Sequence, residues 1–371
     1  MTHLLTFLTV LVVVALVTSR RSKAAKRAAG SGSGRAPVSF DAAAYGLPPR
    51  DALDPHRAGP SAAPHVIRAS QELAETVWGG DWAAAAAHLK AAGTDWDEHA
   101  ERYDLLRAVA RKQDDWLTAW RAADPGSCDA ATLEADLMVH RAWEIRGNKY
   151  AHEVPAENMA KFQALLPAAI EAAERAALLD EHNPAPWVVM VTAARGARYT
   201  PDRFKPLWDG LVARAPHHFE GHWQGMEYRC AKWFGSDVQM MRFVEQAMDN
   251  APKDSLLPGL YLYALAELDK RGSALPSHAV LRQRLTTAAE ALAGAPADRS
   301  HVSSLRHLLA FYLGRAKMYE AALEQFRLIG PYCGSSVWSD QGDPVEAFHA
   351  ARAEAVLQSG AEPVPAGPMR R

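Results

Sequence analysis

Short apolar faces recur along this chain, each followed by a proline, and this pattern constrains its fold more than any other feature. Counting back twelve, eight and five positions from Pro184, Pro216, Pro252 and Pro331 gives only apolar or aromatic residues: Ala172, Ala176, Leu179, Phe204, Trp208, Leu211, Met240, Val244, Ala247, Tyr319, Leu323 and Phe326. This spacing puts each set of three on one side of an α-helix. The pattern predicts amphipathic helices that pack on their neighbours, with Trp208 in the core.

The segment 171–189 predicts how one helix leads into the next. Asn183 can cap the second helix with its side-chain oxygen, and Pro184 suits the first helical position because it has no N–H. The spacings between successive prolines at positions 125, 184, 216, 252, 296 and 331 are 59, 32, 36, 44 and 35 residues. Repeats of about 34 residues are typical of stacked helical hairpins. The sequence therefore predicts an all-α fold.

Two segments resemble tetratricopeptide repeats. LLDEHNPAPW (178–187) is similar to the end of a repeat, and FYLGRAKMYEAALEQF (311–326) is similar to its middle, where two helices join. The resemblance extends over residues 100–358, although the usual aromatic-x-x-Leu-Gly opening is absent. It implies a tetratricopeptide-like α-solenoid of helix-turn-helix repeats over residues 67–359. Because such families mostly bind proteins or peptides, it also implies a protein or peptide partner.

The N-terminus predicts a membrane anchor. The run from Leu4 to Thr18 carries no charge and, with its flanks, can cross a hydrocarbon layer of roughly 30 Å. Five basic residues follow it directly: Arg20, Arg21, Lys23, Lys26 and Arg27. A signal peptide normally has its positive charge before the apolar run, so we expect residues 1–19 to be a single-pass transmembrane helix. The positive-inside rule then predicts a cytoplasmic body. The alternative is a signal that exports the body.

Composition distinguishes an N-terminal stub, the residues before residue 36, from the rest of the chain, which we call the body. Residues 20–66 contain GSGSG and six prolines, which predicts a flexible linker, and residues 360–371 are expected to form a disordered tail. Before residue 36 the chain has six Lys or Arg and no acid, so this stub suits anionic lipid headgroups. The remainder has 35 Lys or Arg against 43 Asp or Glu, a net charge of −8, which argues against nucleic-acid binding. Three widely spaced cysteines, Cys128, Cys230 and Cys333, indicate free thiols in a reducing compartment.

Catalytic signatures are absent from the sequence. It contains no G-x-S-x-G, no Walker loop and no G-x-G-x-x-G, so we predict no catalytic residue and no cofactor. The densest set of metal-ligand residue types is His217, His218 and His222 with Cys230. Its order is H-x-E-x-H rather than the H-E-x-x-H of zinc proteases. A scaffold without bound metal is the preferred interpretation, and a metal-dependent or other enzyme with a site near these histidines is the alternative.

Cations near the ends of several predicted helices suggest a binding surface. Arg146, Arg195, Arg229 and Lys232 lie in or just after the final turns of helices that would line the concave side of a solenoid. In an acidic body, such a ladder of positive charge would select carboxylates of an acidic peptide or a chain terminus. Cations also favour helix C-termini through the macrodipole, which is the alternative explanation for their spacing.

Overall fold

The computed structural model describes residues 40–147, 153–297, 299 and 301–363, and within these ranges it is all helical. It contains sixteen α-helices and no strand there, which confirms the predicted all-α class. In chain order the helices are α1 Pro64–Trp78, α2 Trp82–Lys90, α3 Trp96–Ala110, α4 Asp115–Ala123, α5 Cys128–Arg146, α6 Ala156–Ala177, α7 Ala185–Gly196, α8 Pro201–Arg214, α9 Phe219–Tyr228, α10 Asp237–Asp249, α11 Leu260–Arg271, α12 His278–Ala293, α13 Val302–Arg315, α14 Tyr319–Ile329, α15 Ser336–Ser339 and α16 Pro344–Ser359.

The predicted anchor, residues 1–19, lies outside the described residues, as do residues 20–39 of the linker and most of the tail. Among the helices that are described, none has the length and apolarity to cross a membrane. The described chain divides into two compact units. The first, Ala62–Leu260, contains α1 to α10. The second joins residues 40–61 to residues 261–363 and contains α12 to α16 with nearly all of α11.

Four inner helices organise the first unit. Helix α3 contacts α5, α5 contacts α7, α7 contacts α9, and α9 contacts α3, so the four form a closed ring. Two polar contacts between α3 and α5 lie in register: His99 Nε2 is 3.3 Å from Asp129 Oδ1, and, in an ion pair, Arg107 Nη1 is 3.2 Å from Asp136 Oδ2. These two helices therefore run in the same direction. Helices α4, α6 and α8 connect them, as the returning helix of a hairpin does, and α10 follows α9.

The core of the first unit fills the space between inner and outer helices. Val139, Ile170, Met190 and Leu211 come from four successive helices and are all buried there. Full burial of such side chains contributes about 1.5–3 kcal/mol each. Close packing of α7 on α8 depends on Gly210, because a Cβ at this position would lie 2.0 Å from the Trp187 ring. Packing between hairpins, rather than within one helix, therefore stabilises the unit.

The turn before α7 follows the predicted chemistry. Asn183 Oδ1 accepts a hydrogen bond from the Ala185 N–H at 2.9 Å, and Asn183 Nδ2 donates to Asp129 Oδ1 at 2.9 Å. The Asn183 side chain thus accepts from the first N–H of α7 as expected, but the N-cap is Pro184 and the first helical residue is Ala185, one position later than predicted. Trp208 differs from its prediction as a core residue, because it is only half-buried. Its ring packs beside Arg229 at the edge of the unit.

Residues 40–61 are ordered in the second unit, unlike the flexible linker expected over residues 20–66; we call them the N-terminal strap. Leu47 and Leu53 are buried, and the backbone of Asp54 exchanges hydrogen bonds with the segment after α14. The Asp54 N–H donates to Pro331 O at 2.8 Å, and the Cys333 N–H donates to Asp54 O at 2.9 Å. Prolines prevent a regular α-helix here, and the strap instead contains two short 3₁₀ helices, Ala43–Tyr45 and Arg50–Ala52.

Two buried side chains complete the docking of the strap. Arg352, on α16, donates from Nη1 to Pro48 O at 2.7 Å. His307, on α13, is wholly buried; its Nε2 donates to Ala58 O at 2.8 Å, and its Nδ1 accepts from Trp338 Nε1 at 2.7 Å. A Pro-rich segment lacks the N–H groups to hydrogen-bond all of its own carbonyl oxygens. Here side chains of the helices donate hydrogen bonds to two of these oxygens instead.

Candidate binding surface on the inner helices

One side of α9 carries polar residues that meet polar residues of the other inner helices. Glu220, Gln224 and Glu227 follow the spacing i, i+4, i+7 and therefore share this side. We define the inner face as the polar surface formed by seven residues of α3, α5, α7 and α9: Asp104, Arg107, Asp136, Arg195, Glu220, Gln224 and Glu227.

Arg107 joins the acidic groups at the centre of the inner face. Its Nη2 lies 2.6 Å from Asp104 Oδ1 on its own helix, and its Nη1 lies 3.2 Å from Asp136 Oδ2 on α5. On α9, Gln224 Nε2 donates to Glu220 Oε1 at 2.8 Å. The Asp104 side chain is 46% exposed, whereas Asp136 and Gln224 are buried, so water reaches the cluster from the Asp104 side.

The acidic groups on the inner face influence one another. Burial is the main cause that raises the pKa of Glu220, to about 7; the hydrogen bond from Gln224 opposes it, and the charge on Asp104 adds to it. Burial likewise raises the pKa of Asp104. A carboxylate that titrates near neutral pH is common at functional sites, although structural ion-pair networks also produce it.

Two of the four predicted binding cations converge on one carboxylate. Arg195 Nη1 and Lys232 Nζ each lie 3.1 Å from Glu227 Oε2. The Arg195 guanidinium also lies 5.4 Å from the ring centroids of both Trp143 and Trp233. The positive charges predicted here are therefore compensated within the protein.

The other two cations differ from the predicted ladder in their surroundings. Arg146 donates from Nη1 to Gly147 O at 2.9 Å, and its guanidinium lies 5.5 Å from the Trp143 ring. Arg229 follows α9 on the side opposite Glu227, so it cannot share a row with Arg195 on the inner face. Its guanidinium lies among aromatic rings of α8 and α10.

The predicted histidine set is used for local structure. His218 Nδ1 accepts a hydrogen bond from the Gly221 N–H at 3.1 Å and caps α9, and His222 Nδ1 lies 2.9 Å from His218 O. Cys230 Sγ donates to Met226 O at 3.4 Å. Within the described part of the chain, the imidazoles of His217, His218 and His222 do not gather with Cys230 into a group of convergent metal ligands.

The acidic inner face was not among the sequence predictions. The spacing of Glu220, Gln224 and Glu227 predicts a polar side of α9. The sequence does not show that Asp104 and Asp136, on other helices, lie next to that side. The start of α9 also meets α3, because the Phe219 N–H donates to Asp97 Oδ1 at 3.0 Å across 122 positions of sequence. Such contacts close the ring and create the surface.

Comparison with known proteins gave no match to any family model, curated protein or solved structure. The resemblance to tetratricopeptide repeats therefore depends on residues 178–187 and 311–326. At the coarser level the chain is an all-helical protein, with sixteen α-helices in the part that the structure describes.

Proposed function

We propose that this chain is a membrane-tethered, tetratricopeptide-like scaffold that binds a protein or peptide partner on its inner face, without catalysis. The single observation that supports this most is the set of acidic and basic groups, from the buried Asp136 to the half-exposed Asp104, that three of the inner helices bring together. Asp104 and Arg107 belong to α3, Asp136 to α5 and Glu220 to α9. Folding alone does not require such a surface, because an apolar contact would pack the helices at least as well.

Rigid helices suit these charges for recognition. The ion pairs of Arg107 and Arg195 hold their carboxylate partners in fixed positions before any partner arrives. Charges that are positioned in advance give specificity and speed association more than they increase affinity. The alternation of inner and returning outer helices is typical of stacked helical hairpins, here closed by the contact of α9 with α3. In this proposal residues 1–19 hold the scaffold at the membrane, with the body in the cytoplasm.

The alternative of a metal-dependent enzyme has no comparable support. His218 and His222 each use Nδ1 for a contact with the backbone of α9 or the turn before it. Both pKa values are lowered, mainly by burial, which fits neutral structural imidazoles. We therefore develop only the scaffold proposal.

A pull-down from native membranes tests the inner face. The double variant Asp104→Asn, Glu220→Gln removes two acidic groups there and keeps similar side-chain shapes. A matched control, Glu171→Gln with Glu174→Gln, removes two exposed acids from α6. We expect the inner-face variant to lose most of the partner that the wild-type chain recovers, while the control retains it.

Melting temperatures separate recognition from folding in this experiment. Replacement of the buried Glu220 carboxylate should not destabilise the protein at neutral pH, because its raised pKa shows that the charged form is disfavoured there. Equal recovery of the partner by the inner-face variant and the wild-type chain would contradict the proposed surface. Absence of any partner from wild-type pull-downs would contradict the scaffold function itself.

A further inference from the structure

Arg229 is a cation without an acidic partner among the described residues. Its guanidinium makes one hydrogen bond to them, from Nη1 to Gly225 O at 2.8 Å. The Nε and Nη2 groups have no described acceptor, and neither is fully enclosed. Arg195 and Lys232, by contrast, both pair with Glu227. Two donors of Arg229 thus remain for an acceptor from outside the described chain.

Three aromatic rings hold this guanidinium in place. Its Cζ lies 4.3 Å from the ring centroid of Phe243, 5.1 Å from Trp208 and 5.5 Å from Phe204. Phe204 and Trp208 come from α8, and Phe243 comes from α10. Cation–π contacts orient the guanidinium and leave its hydrogen-bonding edge for a ligand.

A glycine on α9 allows the rings to approach. A Cβ at Gly225 would lie 2.7 Å from Trp208 Cζ3 and 3.0 Å from Phe243 Cζ. Both distances are too short for ordinary contact, so a larger residue would push the rings apart. Gly225 is also the residue whose carbonyl accepts from Arg229, and the same turn of α9 therefore supports the rings and the guanidinium.

The surroundings of Arg229 favour an anionic ligand. Burial lowers the pKa of Arg229 to about 10, so its charge is less well solvated than in water. A bound anion would restore part of that lost stabilisation. The surrounding body has a net charge of −8, which repels a polyanion more than a single negative charge. One guanidinium with two unpaired donors matches the two oxygens of a carboxylate.

We propose that Arg229, held by Phe204, Trp208 and Phe243, binds a carboxylate of the partner peptide. The carboxylate comes from an acidic side chain or from the C-terminus of the peptide. This inference rests on the proposed function, because it assumes a peptide partner. It differs from the predicted cation ladder in that one residue, on the side of α9 opposite the inner face, makes the contact.

Fluorescence anisotropy with a labelled glycine-rich peptide that carries one Glu, added to the full chain in detergent, tests the proposal. The wild-type chain should bind it, and the same peptide with Gln in place of Glu and an amidated C-terminus, which has no carboxylate, should bind far more weakly. Loss of a charged hydrogen-bond pair in Arg229→Gln should weaken binding by about tenfold or more. Arg229→Lys keeps the positive charge but cannot form two parallel hydrogen bonds to one carboxylate. Its affinity for the peptide should therefore lie between those of the wild-type chain and Arg229→Gln.

Arg203 provides a matched control. It is exposed on α8 and its guanidinium lies 3.7 Å from the Tyr199 ring, so Arg203→Gln removes a ring-stacked arginine elsewhere on the same unit. This variant should retain wild-type affinity. If circular dichroism shows that Arg229→Gln does not fold, the affinity of Arg229→Lys decides whether Arg229 binds the peptide. Unchanged binding by the folded Arg229 variant, or no binding by the wild-type chain, would overturn the proposal.

Additional measurements identify the source of the carboxylate. They also show whether this inference can fail while the proposed scaffold function stands. Amidation of the C-terminus of the peptide should have little effect if side chains supply the carboxylate, and a large effect if the terminus does. Free acetate that displaces the peptide from the wild-type chain at low concentration would overturn a peptide-specific site. If the native partner is recovered equally by the wild-type chain and Arg229→Gln, the carboxylate inference fails while the scaffold function stands.

Discussion

Glu220 is the residue of the inner face at which a structural cost coincides with the proposed recognition. It lies among Asp104, Asp136 and Arg107, and Gln224 donates to it. Burial and neighbouring acids raise its pKa from 4.5 to about 7. Since the unfolded chain releases this proton more readily, the group contributes stability below pH 4.5, and this contribution is lost as pH rises through 7.

Glu220→Gln should therefore stabilise the protein at alkaline pH. At pH 8 we expect a gain on the order of 1–3 kcal/mol in the free energy of unfolding, because the variant has no charge to bury. At pH 4 the variant and the wild-type chain should be nearly equal. Melting curves at both pH values measure this, with Glu174→Gln on the exposed side of α6 as the control. A variant that is less stable at pH 8 would show that the charged form is favoured in the fold.

At the scale of elements, the N-terminal strap connects the predicted anchor to the last helices of the chain. His307 is its most enclosed contact, since it joins Ala58 O to Trp338 Nε1. The Nδ1 atom must be unprotonated to accept from Trp338. Burial accordingly lowers the pKa of His307 to about 4, against an upward influence from its hydrogen bond to Ala58.

Acid should loosen the strap through His307. The lowered pKa means that His307 contributes stability above pH 6.5, and that this contribution is lost as pH falls through 4. Hydrogen–deuterium exchange of peptides covering residues 40–61, corrected for the intrinsic effect of pH, should accelerate between pH 6.5 and pH 4. His307→Gln should abolish most of this pH dependence, whereas His65→Gln, at an exposed position on α1, should preserve it. A strap that exchanges equally at both pH values would contradict this role.

At the scale of the whole molecule, the docked strap limits how far the body could lie from the proposed anchor. If residues 1–19 span the membrane, only residues 20–39 separate that span from the docked strap, rather than the whole of residues 20–66. The basic residues of this short segment would then remain close to the headgroups. A binding surface on such a tether would meet its partners near the membrane.

Membrane attachment through the N-terminus is directly testable. Extraction with alkaline carbonate should leave the full chain in the membrane fraction, and deletion of residues 1–19 should release it, because the deleted run supplies the apolar length. A chain that starts at residue 40 keeps the strap and should fold normally, which controls for damage to the body. Protease added to intact cells should spare the body; digestion would favour the exported orientation.

Local patterns in the sequence predicted the helices, because a helix is decided by neighbours three and four positions away. Ala176 and Leu323 follow that period and are buried as predicted. The Asn183 side chain accepts from the first N–H of α7 as predicted, since such a bond involves only neighbouring residues. Trp208 fits the same period but is half-buried, because burial depends on how the neighbouring helix covers it.

The candidate site was decided by tertiary structure. Asp104, Asp136 and Glu220 come together only when the ring of inner helices closes. Short-range sequence patterns do not predict contacts as distant in sequence as that of Phe219 with Asp97. The strap illustrates the same principle, since its prolines prevent a regular α-helix over residues 40–61 but do not determine whether that segment docks. The sequence thus determined the class of local structure through short-range periodicity and capping. Long-range packing, which brings groups from different helices within hydrogen-bond distance, decided the surface, its charge and the environment of Arg229.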